Sequence, residues 1–138
     1  MLPRMEAWEE IEGAKEFAKW FGGWPSFHDA ELQHIHFNSD GPTSLLVYAF
    51  AMLNETDEKG YYKCTKHVMV EFSLFGIDKV EIEGQDCYAG NILMSLGCTK
   101  NAESLQLEWS ATLGLGALLT AKSIALKFTP LEGPPPTR

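Results

Sequence analysis

The run Phe27-His28-Asp29-Ala30-Glu31-Leu32-Gln33-His34-Ile35-His36-Phe37 holds the side chains best suited to chemistry, including three of the chain's four histidines. Imidazoles and carboxylates this close could ligate a divalent metal for a hydrolase. Such a site needs three or four ligands converging at about 2 Å. His34 and His36 are two residues apart on an expected strand, so they share a face. His28 joins them only if the chain is already extended there. Asp29 and Glu31 fall on the opposite parity and could add a carboxylate only through a bend. A metal set of His28, His34 and His36, or a small-ligand site using these with Asp29 and Glu31, is therefore one reading. The other is structural. Trp24-Pro25 forbids continuation of a preceding helix, and His28 and Asp29 can satisfy backbone groups left open by the turn. Trp24, Pro25, Phe27, His28, Asp29 and Glu31 then form a corner that sets the register of the first strand. No nucleophile lies beside the run, which favours the corner.

Other catalytic signatures are missing from the sequence. There is no GxSxG, no Walker loop and no GxGxxG. Cys64, Cys87 and Cys98 are odd in number and lack metal-ligand spacing, so they read as reduced packing residues. Glu71, Glu81, Glu83 and Glu108 alternate outward on expected strands, a poor arrangement for a glycosidase pair. They are the candidate partner-binding row, with a plain solvated face as the alternative. Trp24 could anchor a partner or plug the end of the sheet. The expectation is a protein that is not an enzyme and needs no cofactor.

A formal net charge of −8, from 11 Lys+Arg against 19 Asp+Glu, repels nucleic acid and anionic lipid and suits a basic protein partner. Residues 1–20 lack a signal-peptide pattern, and the apolar runs 45–53 and 113–121 are too short to span a bilayer. These features lead to an expected cytoplasmic location.

The elements that must position these residues follow from periodicity. Trp8, Ile11, Ala14, Phe17, Ala18 and Phe21 make one face of a helix over residues 6–21, closed by Gly22-Gly23. Strands are expected at residues 30–37, with His34, His36 and Leu32 on one face and Ile35 and Phe37 on the other. Further strands are expected at 43–53 (apolar on both faces), 66–75, 79–83, 91–96, 105–113 and 119–128. Residues 54–62 read as a loop or hairpin connection and 97–103 as a turn region. This gives an α+β fold, an N-terminal helix followed by a mainly antiparallel sheet of about seven strands, strongly curled or closed into a half-barrel. Residues 1–129 are expected to form a single domain, with residues 130–138 a loose Pro-rich tail. Sheet edges permit a monomer or a homodimer.

Three segments resemble a bacterial immunity-protein family, the one numbered fifty in the polymorphic-toxin classification. FGGWPSFHDAELQHIHF (residues 21–37) is similar to that family's passage into its first strand. Asp-Gly-Pro-Thr at residues 40–43 opens an apolar strand in the same way. HVMVEFSLFGIDKVEIEG (residues 67–84) resembles its strand, Gly turn and strand ending in Glu-Gly. The resemblance implies a non-enzymatic antitoxin that binds a cognate toxin domain. The acidic balance then fits a basic toxin.

Overall fold

A computed structural model describes residues 7–84, 92–112 and 114–135. A 3-10 turn, Ala7–Glu10, precedes helix α1, Ala14–Phe21. Eight strands follow: β1 Glu31–His36, β2 Thr43–Thr56, β3 Tyr62–Phe75, β4 Lys79–Glu83, β5 Leu93–Asn101, β6 Ser104–Ala111, β7 Gly116–Ala121 and β8 Ser123–Pro130. They form two antiparallel four-stranded sheets, ordered β1-β2-β3-β8 and β4-β7-β6-β5. The fold is therefore mostly β, not the expected α+β half-barrel of about seven strands. A wide twisted sheet can relieve its strain by curling or by splitting, and this chain splits.

The split is made at two neighbouring corners. After β3 the chain turns at Gly76, whose φ of 67° suits glycine. After β7 it turns at Lys122, so the expected single strand 119–128 is divided between sheets. The corners are tied together. The Lys122 amide donates to the Phe75 carbonyl at 2.9 Å, and the Asp78 amide donates to the Thr120 carbonyl at 3.0 Å.

Both sheets turn their apolar rows to one core. Leu45 and Val47 of β2 and Val68, Val70, Phe72 and Leu74 of β3 share it with Leu105, Leu107 and Trp109 of β6 and Leu119 of β7. On β6 these residues alternate with Gln106, Glu108 and Ser110, and on β3 with Glu71 and Ser73, as sheets wet on one side require, whereas β2 places Leu46 and β7 places Leu118 on the other face. On β4, Val80 and Ile82 alternate with the glutamates yet remain 44% and 41% exposed. Among the described residues β4 pairs only with β7, at the edge of its sheet.

The helix is shorter than the periodicity of residues 6–21 suggests. It breaks where Glu12 joins the edge of β8: its amide donates to the Ile124 carbonyl at 3.0 Å, and the Leu126 amide donates to its carbonyl at 2.7 Å. Gly13 follows with a φ of 88°. α1 then packs Ala14, Phe17 and Ala18 inward. Its Phe17 ring lies among Trp20, Phe21, Trp24, Phe27 and Phe128, with centroids 5.3–6.5 Å away.

Segment 54–62 is the hairpin connection of β2 and β3, and 97–103 is more ordered than a turn. β2 and β3 reach Thr56 and Tyr62, and β5 runs to Asn101. Beyond Tyr48 and Val68 the long β2–β3 hairpin has no flanking strand paired to it among the described residues, because β1 pairs only as far as Tyr48 and β8 only as far as Val68. In the segment expected as a tail, Pro130 ends β8 and the Leu131 amide donates to the His67 carbonyl at 2.7 Å. Residues 136–138 lie outside the described residues. No helix among the described residues is long and apolar enough to cross a membrane.

Candidate functional site

The corner after α1 is built from backbone turns and aromatic rings. Gly22, with φ 104°, caps the helix through its amide to the Ala18 carbonyl. Trp24 stacks on Trp8 with centroids 4.9 Å apart and planes 2° from parallel. It also meets Phe27 edge-on at 5.5 Å. Pro25 and Phe27 thus lead the chain from the helix into the core, where Phe27 is 2% exposed against Phe17 and Phe72. Phe27 and Asp29 take φ values of 62° and 71°. The Asp29 amide donates to the Leu93 carbonyl at 2.9 Å, and the Leu93 amide donates to the Ala30 carbonyl at 2.7 Å. Glu31 continues this bridge to Ile92. The corner therefore ties the start of β1 to the start of β5, across the two sheets.

Its polar side chains face water. His28 Nδ1 lies 3.2 Å from an Asp29 carboxylate oxygen, with the side chains 64% and 46% exposed. An exposed pair of this kind contributes little to stability. The left-handed backbone at Asp29 matters more, because Asp tolerates it better than Ala and glycine tolerates it best. Asp29→Ala is expected to lower stability by about 1 kcal/mol, Asp29→Gly to be neutral or better, and His28→Ala to change it by under about 0.5 kcal/mol. Urea unfolding of the three variants checks this, and a His28→Ala loss as large as that of Asp29→Ala would refute it.

β1 carries a bulge between Leu32 and His34: Leu32 pairs with Val47, but His34 pairs with Leu46. The extra residue changes the faces expected from simple alternation. Leu32 packs against the core with Ile35. Glu31 moves to the outer face, opposite Tyr48, in company with His34 opposite Leu46 and His36 opposite Ser44. His34 and His36 are exposed. No group of three or more His, Cys, Asp or Glu residues among those described is arranged to hold a metal. The structure thus does not bring His28, His34 and His36 into a ligand set.

The fourth histidine has a different partner. His67 of β3 lies against Tyr48 of β2, with Tyr48 Oη 2.7 Å from His67 Nδ1. The hydroxyl donates when that nitrogen carries no proton. Burial raises the Tyr48 pKa above its ordinary value, and nearby Cys64 and Glu31 add to the effect. Cys64 is exposed near the tip of the long hairpin, opposite Met52. Burial, with a smaller effect from Glu10, pushes the Cys98 thiol up to about 11, which makes it a poor nucleophile at neutral pH. Cys87 lies outside the described residues.

The four glutamates do not share one face. Glu71 projects from the outer face of the first sheet, between Leu46 and Lys127. Glu81, Glu83 and Glu108 belong to the second sheet. There Glu81 of β4 and Glu108 of β6 both flank Leu118 of β7. Lys79 Nζ lies 3.2 Å from a Glu81 carboxylate oxygen.

Beside this row, the outer face of the second sheet sinks into an open hollow of about 490 Å³, lined in part by Asp78, Gln106 and Thr120. Thr120 is 7% exposed, and its Oγ1 has no hydrogen-bond partner among the described residues. Sequence reasoning passed over these three residues. The available signal was a threonine in the otherwise apolar Gly116–Ala121 strand.

The match to known proteins concerns the family, and it is an immunity-protein family. The family described as Immunity protein 50 matches residues 13–127, from the glycine before α1 into β8. The chain belongs to this family, in agreement with the resemblance carried by residues 21–37, 40–43 and 67–84. No curated protein and no solved structure matches the chain.

Proposed function

We propose that this chain is a cytoplasmic immunity protein that neutralises a cognate toxin domain by binding it, without catalysis. The family match over residues 13–127 carries the reading. The net charge of −8 favours a basic toxin domain, because it speeds encounter with a positive surface. The alternative, a metal-dependent hydrolase or small-ligand domain built on His28, Asp29, Glu31, His34 and His36, gains no support from their placement. The acidic face at Glu81, Glu83 and Glu108 is the preferred contact surface over Glu71, which stands on the other sheet beside Lys127.

The test is co-expression with the toxin domain encoded beside this gene. Rescue of growth and a co-purifying complex are expected. Absence of both would overturn the proposal. If charge guides association, the association rate should fall steeply as salt is raised. A rate indifferent to salt would reduce the acidic face to a solvated surface.

A further inference from the structure

The outer face of the second sheet is organised in cross-strand rows. Glu81, Leu118 and Glu108 make one row, and Lys79, Thr120 and Gln106 make the next. The second row forms part of the hollow, together with Asp78, Asn101 and Ser104. Among the described lining residues the one ammonium is already engaged, since Lys79 Nζ lies 3.2 Å from the Glu81 carboxylate along β4. Asp78 has no ion-pair partner among the described residues. Gln106 Oε1 accepts from the Thr99 hydroxyl at 3.3 Å and keeps a second lone pair. Thr120 Oγ1 is buried without a hydrogen-bond partner among the described residues. Such a hydroxyl costs free energy until something bonds to it.

We propose that this hollow receives an arginine side chain presented by a basic protein surface. For the identity of that partner the proposal rests on the toxin-binding reading; the site itself rests on the residues named. A guanidinium carries five donors in a flat fork. The hollow offers the complement: one uncompensated carboxylate, at Asp78, and several neutral acceptors, at Asn101, Ser104, Gln106 and Thr120. Glu81, Glu83 and Glu108 beside it add to the cation-attracting field. An anion would meet Asp78, and the described cation that lines the hollow, Lys79, is paired with Glu81. A lysine ammonium would satisfy Asp78 but reach fewer of the dispersed acceptors.

The test titrates the full-length, nitrogen-15-labelled chain with a tetra-arginine peptide and, separately, with a tetra-lysine peptide. The largest amide shifts should fall at Asp78, Gln106 and Thr120, and the arginine peptide should bind several-fold more tightly. Asp78→Asn should weaken it about tenfold, the loss of a charged hydrogen bond. Thr120→Val keeps the shape of the floor and removes the unpaired hydroxyl. It should therefore hold or raise Tm while weakening the arginine peptide, a combination that a purely structural threonine would not give. Equal affinity for the two peptides, or affinity unchanged by both variants, would overturn the proposal. The toxin domain separates the two ideas. Its capture by Asp78→Asn as tightly as by wild type would sink the hollow and leave the immunity function standing. Failure of wild type to capture it, with peptide shifts still centred on Asp78 and Thr120, would sink the toxin reading and leave the arginine site standing.

Discussion

Phe17→Ala is expected to remove about 3–5 kcal/mol of stability, the range for deleting a large buried ring. Phe17 is 0% exposed, and its ring is met by Trp20, Phe21, Trp24, Phe27 and Phe128. Those neighbours come from the helix, the corner and β8, so no one of them can collapse into the space without moving the others. Phe17→Leu keeps most of the volume and should cost under about 2 kcal/mol. Phe75→Ala is the surface control, since Phe75 is 42% exposed. Urea midpoints rank the three. A Phe17→Ala loss no larger than that of Phe75→Ala would mean that α1 is not seated on the sheets. The corner should follow Phe17 rather than its own polar groups, because Trp24 and Phe27 both pack on that ring.

Much of this arrangement was legible in the sequence. The alternation within residues 66–75 puts Val68, Val70, Phe72 and Leu74 on one face, and all are buried. Leu105, Leu107 and Trp109 were legible in the same way. Alternation reports in against out, however, and not which sheet a strand joins. That is why Glu71 and Glu108 looked like one acidic row and stand on different sheets. The partition depends on a bond between residues distant in sequence, the Lys122 amide to the Phe75 carbonyl. No local propensity encodes such a contact. Bulges are equally silent. An extra residue in β1 exchanged the faces of Leu32 and Glu31. Between β2 and β3, the register shift after Ala49 places Lys66 at a φ of 55°. The family resemblance, by contrast, rested on residue identity and survived the error in architecture. The same corner sequence can begin a strand in a curled sheet or in a split one.

Gly13→Ala is expected to be the most damaging small substitution in the chain, costing about 3–4 kcal/mol from overpacking and left-handed backbone together. A Cβ at this position would stand 2.3 Å from the Leu126 carbonyl oxygen. That oxygen belongs to the β8 backbone, where the Leu126 amide is bonded to the Glu12 carbonyl and Leu126 pairs with Phe72 of β3, so it cannot swing aside like a flexible side chain. The residue also has a φ of 88°. Relief requires releasing Glu12 from the edge of β8, and this would pull Trp8 from its stack on Trp24. Gly22→Ala isolates the backbone part of the effect. Gly22 has a φ of 104°, but nothing lies within 4 Å of its added Cβ. It should lose only about 1–2 kcal/mol. Unfolding curves measure the difference, and tryptophan fluorescence reports the stack. Equal losses in the two variants would refute the close approach. A larger loss at Gly13 with altered fluorescence would establish that the strand-like contact of Glu12, rather than helix propensity, decides where α1 begins.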